Sequence, residues 1–248
     1  MGTVRNPNDI VDKYVTDYRN ALGENIVSVI MYGSSVTHEY RPGSSDINTL
    51  IVLADFGINE LKKSLPCARK WISKKVTVPF YMTRDYIETS LDTYPIEFID
   101  MRSNYKVLYG EDVFARLDIK KEHVRIQCER ELKGIALHLR REYVATNGNS
   151  KILSRLLTAS IKTLLPVFKA LLVLNDRPIP KIKCDIIMAV EELYNLGISV
   201  FTELCGPGSS SGAAGAQPEE IIAKFANTID TLIATVNDGA GVSAKGSK

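Results

Sequence analysis

The chain opens with apolar residues at near-helical spacing. Ile10, Val11, Tyr14, Val15, Tyr18 and Leu22 recur every few positions, so Asp9 to Leu22 reads as an amphipathic helix. A β-rich run follows from Ile26 to Tyr32 and stops at Gly33-Ser34. After a loop holding Arg41-Pro42-Gly43-Ser44-Ser45 comes a second run, Asn48 to Leu53, nearly all apolar, as in a strand buried on both faces. Asn59 to Trp71 predicts a covering helix. Val76 to Tyr81 predicts a third strand, whose Pro79 places it at an edge or an end. Thr83 is placed to cap a helix reaching about Leu91. Ile96 to Asp100 suits a short strand or a turn of helix, and Tyr105 to Gly110 a strand end or turn.

After Gly110 the periodicity lengthens. Helices are expected over about Lys120 to Ala145, Ser150 to Leu174, Pro180 to Leu196 and Pro218 to Val236, with breaks at Asn147-Gly148-Asn149 and Asn175 to Pro178. The Gly/Ser/Ala-rich stretch from Cys205 to Ala216 predicts a flexible loop, and the tail from Asp238 predicts disorder. No internal repeat is present. The expected class is α/β (α+β): a small mixed-sheet domain over residues 1–115, a helical bundle over 116–237 and a tail over 238–248.

Composition sets limits on this picture. Hydrophobic residues are 45% and charged residues 24%, as in a packed chain. A net charge of +2 gives no argument for a nucleic-acid partner. Residues 120–183, however, hold fourteen Lys/Arg against five Asp/Glu. Solvated helix faces explain this most simply; a basic wall facing an anionic substrate is the sharper reading. The four cysteines and three histidines show no metal-ligand spacing. No uninterrupted apolar run reaches the roughly 18 residues of a membrane helix. The first twenty residues are polar and carry both charge signs, so no signal peptide, no membrane partner, a cytoplasmic location and reduced thiols are expected.

The segment richest in chemistry is Met31-Tyr32-Gly33-Ser34, eleven residues, then Asp46-Ile47-Asn48. A glycine after a strand lets the backbone turn tightly against a ligand. Ser34 would open a helix whose free N–H groups can hold a phosphate. Asp46 and Asn48 are two apart and on a strand would share a face, offering paired oxygens to a magnesium-bound triphosphate.

This pattern resembles the nucleotidyltransferase superfamily that includes DNA polymerase beta and the aminoglycoside nucleotidyltransferases. The family has an apolar strand, Gly-Ser, a variable loop, then Ser-Asp-x-Asp leading into another apolar strand. Gly33-Ser34, Ser45-Asp46 and Leu50 to Leu53 fit it. The helical second half is similar in layout to aminoglycoside-modifying members. The resemblance implies a polymerase-beta-like fold in which Gly33 and Ser34 contact nucleotide phosphates. It implies carboxylates holding two divalent cations, which join an attacking hydroxyl to the α-phosphate. Ser45 and Arg41 lie in the same loop, and Arg41 is placed to pair with a triphosphate. His38 is a further phosphate contact to consider, and Tyr40 could stack on a base.

Two positions depart from the family. Asn48 stands for the second aspartate, and Thr77, in Val76-Thr77-Val78, stands where a third acid is expected. The metal ligands would then be Asp46 and Asn48, holding magnesium weakly, since the formal charge falls from three to one. Glu97 is the candidate for a replacement catalytic carboxylate beside Asp46, with Asp100 next to it; Glu97 otherwise pairs with Arg102 or backbone. Two readings follow. One is an enzyme moving a nucleoside monophosphate from a nucleoside triphosphate to a hydroxyl on a small-molecule or protein acceptor. The alternative is a catalytically weak or inactive nucleotide-binding or regulatory protein that keeps the fold. A homo-oligomer is left open.

Overall fold

The computed structural model describes residues 4–196, 201 and 218–238. The loop expected over 205–216 and the tail beyond 238 lie outside them. The chain forms two compact units, Met1–Asp92 with Asp100–Ile119, and Thr93–Ile99 with Lys120–Lys248.

The first unit runs α1 (Val11–Leu22), β1 (Ile26–Tyr32), β2 (Asn48–Leu53), α2 (Ile58–Ile72), β3 (Phe80–Thr83), α3 (Arg84–Thr89) and β4 (Tyr105–Gly110). Between α3 and β4 lies α4 (Pro95–Ser103), within which the division falls. The sheet order is β3-β2-β1-β4. β1 is antiparallel to β2 and to β4, while β3 is parallel to β2 through the α2 crossover, so the sheet is mixed. β1 and β2 are buried almost throughout, as continuous apolar runs require.

Two short predictions resolve differently from their spelling, and a third settles between its two alternatives. The run from Val76 does not join the ladder whole. Ile47 bridges Val76, but Leu50 pairs with Phe80, so one extra residue sits on this edge strand. Pro79, which has no N–H to give, lies inside that irregularity. Ile96 to Asp100 is helix, part of α4, and Tyr105 to Gly110 is a full strand. Gly110 is held at φ +75°, and a Cβ there would lie 2.0 Å from the Val27 carbonyl oxygen, so no side chain fits. Thr83 caps α3, accepting from the Tyr86 N–H at 3.1 Å.

Helices α1 and α2 pack on one another, with a core of Tyr14, Tyr18 and Trp71 between them and the sheet. The Tyr14 ring lies 4.8 Å from Tyr18 and 5.2 Å from Trp71. Trp71 Nε1 donates to Asp17 at 3.0 Å. The Tyr14 hydroxyl shares a 2.6 Å hydrogen bond with Thr49 Oγ1, tying α1 to the start of β2. The hydroxyls of Tyr18 and Tyr81 are enclosed near one another, without a well-formed hydrogen bond to any described residue.

The second unit is helical: α5 (Lys121–Ala145), α6 (Ser150–Leu174), α7 (Lys183–Leu193) and α8 (Pro218–Asn237). α5 packs on α6 and α8, and α6 on α7 and α8. Phe168, Phe201 and Phe225 meet edge to face at 5.2 and 5.1 Å. Several of the basic residues over 120–183 sit in ion pairs: Lys121–Asp176, Arg130–Glu131 and Arg140–Asp230 are exposed, and Arg125–Glu129–Lys133 is half-buried at Glu129. The exposed pairs are solvated helix faces, where water and salt screen the charges.

Two sequence expectations need correction. By length and composition Arg155–Leu174 is apolar enough to cross a membrane. Lys162 and Lys169 interrupt its apolar run. Its Leu164, Phe168, Ala170, Leu171 and Leu172 are fully buried, as in a core helix. Cys67 and Cys128 are free, but Cys184 is disulfide-bonded, against the expectation of reduced thiols. Spacing along a chain does not report closeness in space.

The two tyrosines of the α1 core should respond oppositely to loss of their hydroxyls. Tyr14→Phe leaves buried Thr49 without its partner and should cost about 1–3 kcal/mol in urea unfolding. Tyr18→Phe removes a hydroxyl that lies near those of Tyr14 and Tyr81 without a well-formed hydrogen bond to either, and it should be neutral or stabilising. Burial raises both phenols above the ordinary 10.0, with the neighbouring Tyr14 adding to the rise at Tyr18. A raised folded value favours the neutral form. Their contribution is therefore complete below pH 10.0 and lost as pH rises toward the folded values. Alkaline unfolding should shift to higher pH in Tyr18→Phe; an unchanged or lower midpoint would contradict this.

Candidate functional site

β1 ends at Tyr32, and Gly33 makes the exit from the sheet at φ +79°. Glycine adopts this left-handed backbone freely, whereas another residue is strained by about 1–2 kcal/mol. The Gly33 N–H donates to the Asn104 carbonyl at 2.8 Å, which fixes the turn. The sequence predicts a helix opening at Ser34. The structure has instead one 3-10 turn, Gly33–Val36, too short to build a helix dipole. Local side chains hold it: Ser35 Oγ donates to the Tyr32 carbonyl at 2.9 Å and Thr37 Oγ1 to the Ser34 carbonyl at 3.1 Å. Ser34 itself is half-buried.

The β1–β2 register sets Asn48 opposite Tyr32. The Asn48 side chain therefore lies beside the Gly33 turn, where a Cβ at Gly33 would be 3.4 Å from Asn48 Nδ2. Asp46 precedes the strand and is exposed, and Ile47 between them is 1% exposed. Ile47 thus points into the core while Asp46 and Asn48 alternate away from it. Burial, and then the Asp46 charge, raise the Tyr40 phenol above its ordinary value, so Asp46 stands near Tyr40. The Tyr40 hydroxyl donates to the Val4 carbonyl at 2.9 Å, which anchors the loop rather than leaving the phenol to hydrogen-bond a ligand. Arg41 and Ser45 close the loop on itself: the Ser45 N–H donates to the Arg41 carbonyl at 2.8 Å and the Arg41 N–H to Ser45 Oγ at 3.0 Å. Arg41 and His38 are exposed.

Thr77 meets Asn48. Its hydroxyl lies 3.1 Å from the Ile47 carbonyl and 3.2 Å from Asn48 Oδ1, sharing one proton between two acceptors. Gly33, Asn48 and Thr77, distant in sequence, thus form one contiguous group at the end of the β1–β2 pair.

Glu97 lies on α4, in the second unit. It is exposed on α4, because Ile96, Phe98 and Ile99 take the buried side of the helix. Its carboxylate accepts from Gln127 Nε2 at 2.8 Å, and Arg102 donates to the Leu117 carbonyl at 3.1 Å rather than to Glu97. Asp100 stands near the end of β1: burial, then the Asp100 charge, push the Tyr32 phenol up to about 12. Sequence reasoning missed Asn104, since a lone asparagine ahead of a strand carries no sign that its carbonyl will hold Gly33.

Asp46, Asn48 and Thr77 by themselves do not fit a pair of divalent cations. Such a pair needs several anionic oxygens around it. Here Asp46 brings one formal charge, Asn48 and Thr77 bring none, and the Asn48 carbonyl oxygen is already engaged by Thr77. Among the described residues no three His, Cys, Asp or Glu side chains gather as a metal site.

Gly33→Ala should lower stability by about 1–2 kcal/mol in urea unfolding, from the strained backbone alone. Ser34→Ala, which leaves the backbone unstrained, should cost less than about 0.5 kcal/mol. Equal effects would mean that the turn does not depend on glycine.

No protein-family model matches the chain, and no curated protein matches it. Among solved structures, spectinomycin adenyltransferase AAD(9) from Enterococcus faecialis, with ATP and spectinomycin, aligns over 91% of this chain and 100% of that one. The identity is 15% and the TM-score 0.45, a likeness too loose to carry an argument.

Proposed function

We propose that this chain is a nucleoside-triphosphate-binding protein of the nucleotidyltransferase design in which nucleotidyl transfer is weak or absent. One observation carries the reading: the Gly33 turn, Asn48 and Thr77 meet at one end of the β1–β2 pair, with neutral groups at two of the three acid positions. The Met31–Ser34 and Asp46–Asn48 segments supply the motif, and the register supports their acting together. In this reading residues 1–115 form the nucleotidyltransferase-like domain and 116–237 a helical bundle. Gly33 and Ser34 contact the phosphates by close backbone approach, and exposed Arg41 pairs with phosphate oxygens. Ser45 keeps the Arg41 loop closed. Asp46 is the one motif carboxylate. Glu97, bonded to Gln127, is left out of the proposed site.

Neutral ligands weaken catalysis more than they weaken binding. A triphosphate binds through its own charge and its hydrogen bonds to the turn. Joining an acceptor hydroxyl to the α-phosphate needs the developing charge held in place. Removing two anions from the site removes that support.

Calorimetric titration with ATP, GTP, CTP and UTP, each with magnesium and with chelator, should show saturable binding of at least one nucleotide. With α-labelled nucleotide and magnesium or manganese, turnover should stay below about 1 s⁻¹, the low edge of ordinary enzymes. Rapid magnesium-dependent transfer that disappears in Asp46→Ala would show that Asn48 and Thr77 are not disabling. No binding of any nucleotide would end the proposal.

A further inference from the structure

Asn48 differs from the aspartate it replaces in more than charge. An ionised carboxylate only accepts hydrogen bonds, while an amide has one accepting and one donating end. The two ends are sorted here. Oδ1 is turned to the Thr77 hydroxyl at 3.2 Å, and Nδ2 is turned to the Gly33 turn, 3.4 Å from the position a Cβ would take there. Thr77 is held in turn by Ile47, whose carbonyl oxygen lies 3.1 Å from its hydroxyl and accepts the Thr77 N–H at 3.0 Å. The Nδ2 group makes no hydrogen bond among the described residues.

From this geometry we infer that Asn48 and Thr77 form a donor pair that binds a triphosphate directly, without a bridging divalent cation. Thr77 occupies the amide oxygen and so fixes the amide nitrogen toward the phosphate side. A phosphate oxygen beside the Gly33 turn then receives an N–H hydrogen bond at the place where the resemblance expects a metal ion between two anions. The two substitutions act together: an asparagine with a third acid beside it would be drawn to present its nitrogen to that acid. The inference rests on the proposed nucleotide site and specifies its ligand as the metal-free triphosphate.

The test is calorimetric titration with ATP, in chelator and in excess magnesium, on the full chain and three variants. The unmodified protein should bind ATP in chelator within about threefold of its affinity in magnesium. Asn48→Asp puts an anion against the phosphate and should lose at least about tenfold in chelator, with magnesium restoring it. Asn48→Ala removes the donor without adding charge, so it should weaken binding with no recovery in magnesium. Thr77→Val should lose about threefold in either condition, because the amide is no longer oriented. Thermal unfolding of each variant confirms that the site is folded, and Asn48→Ala serves if Asn48→Asp does not fold. Binding by the unmodified protein that requires magnesium would overturn the inference and leave the nucleotide site standing. So would Asn48→Asp and Asn48→Ala binding like the unmodified protein in chelator. Absence of ATP binding in both conditions, with no other nucleotide bound, would remove the site itself and the inference with it.

Discussion

The antiparallel ladder between β1 and β2 is the constraint on which the candidate site depends. Side chains alternate along a strand, so a slip of one residue would turn every inward position outward. The ladder cannot slip cheaply. Val29, Ile30, Leu50, Ile51 and Val52 are fully buried, and each such side chain contributes about 1.5–3 kcal/mol in its place. Its last rung pairs Tyr32 with Asn48, which brings the glycine that ends one strand beside the residue that begins the other. The Tyr14–Thr49 hydrogen bond adds a second hold one residue further on, from α1. Site geometry is therefore a by-product of core packing, not of contacts at the site itself.

The same end of the sheet is held without a charge at position 48 or 77. Neither the apolar strands nor the Gly33 turn needs a carboxylate at position 48 or 77. Thr77 and Asn48 satisfy one another, and the bulged edge between Val76 and Phe80 accommodates Thr77 without disturbing β2. These polar groups make a neutral network of their own. Stability and charge at this site are separable properties.

Much of the fold was legible in the sequence because its signals are local. Apolar runs marked β1 and β2, helical periodicity marked α5 and α6, and Thr83 announced the start of α3. The failures share a cause. The apolar setting expected for Glu97 is absent, because a helix turns its apolar neighbours to another side and leaves it exposed. Ser34 opens a single 3-10 turn, because Ser35 and Thr37 bond back to the backbone before a helix can grow. Asn104 contributes only its carbonyl, and any residue has one. The Cys184 disulfide and the position of Asp100 near Tyr32 are tertiary facts with no local spelling. The motif named the residues at positions 33, 46, 48 and 77; which atoms they present was decided by the register.

Trp71 has a practical consequence. It is the chain's single tryptophan, and it lies 1% exposed in the core of the first unit, hydrogen-bonded to Asp17 and flanked by Lys70 and Lys74. The second unit has none, yet contains the longest helices. Indole emission therefore reports on one unit, while far-ultraviolet ellipticity is weighted toward the other. The protein carries two separate optical labels without modification, and comparing their transitions reveals whether its two units melt as one cooperative body or in succession.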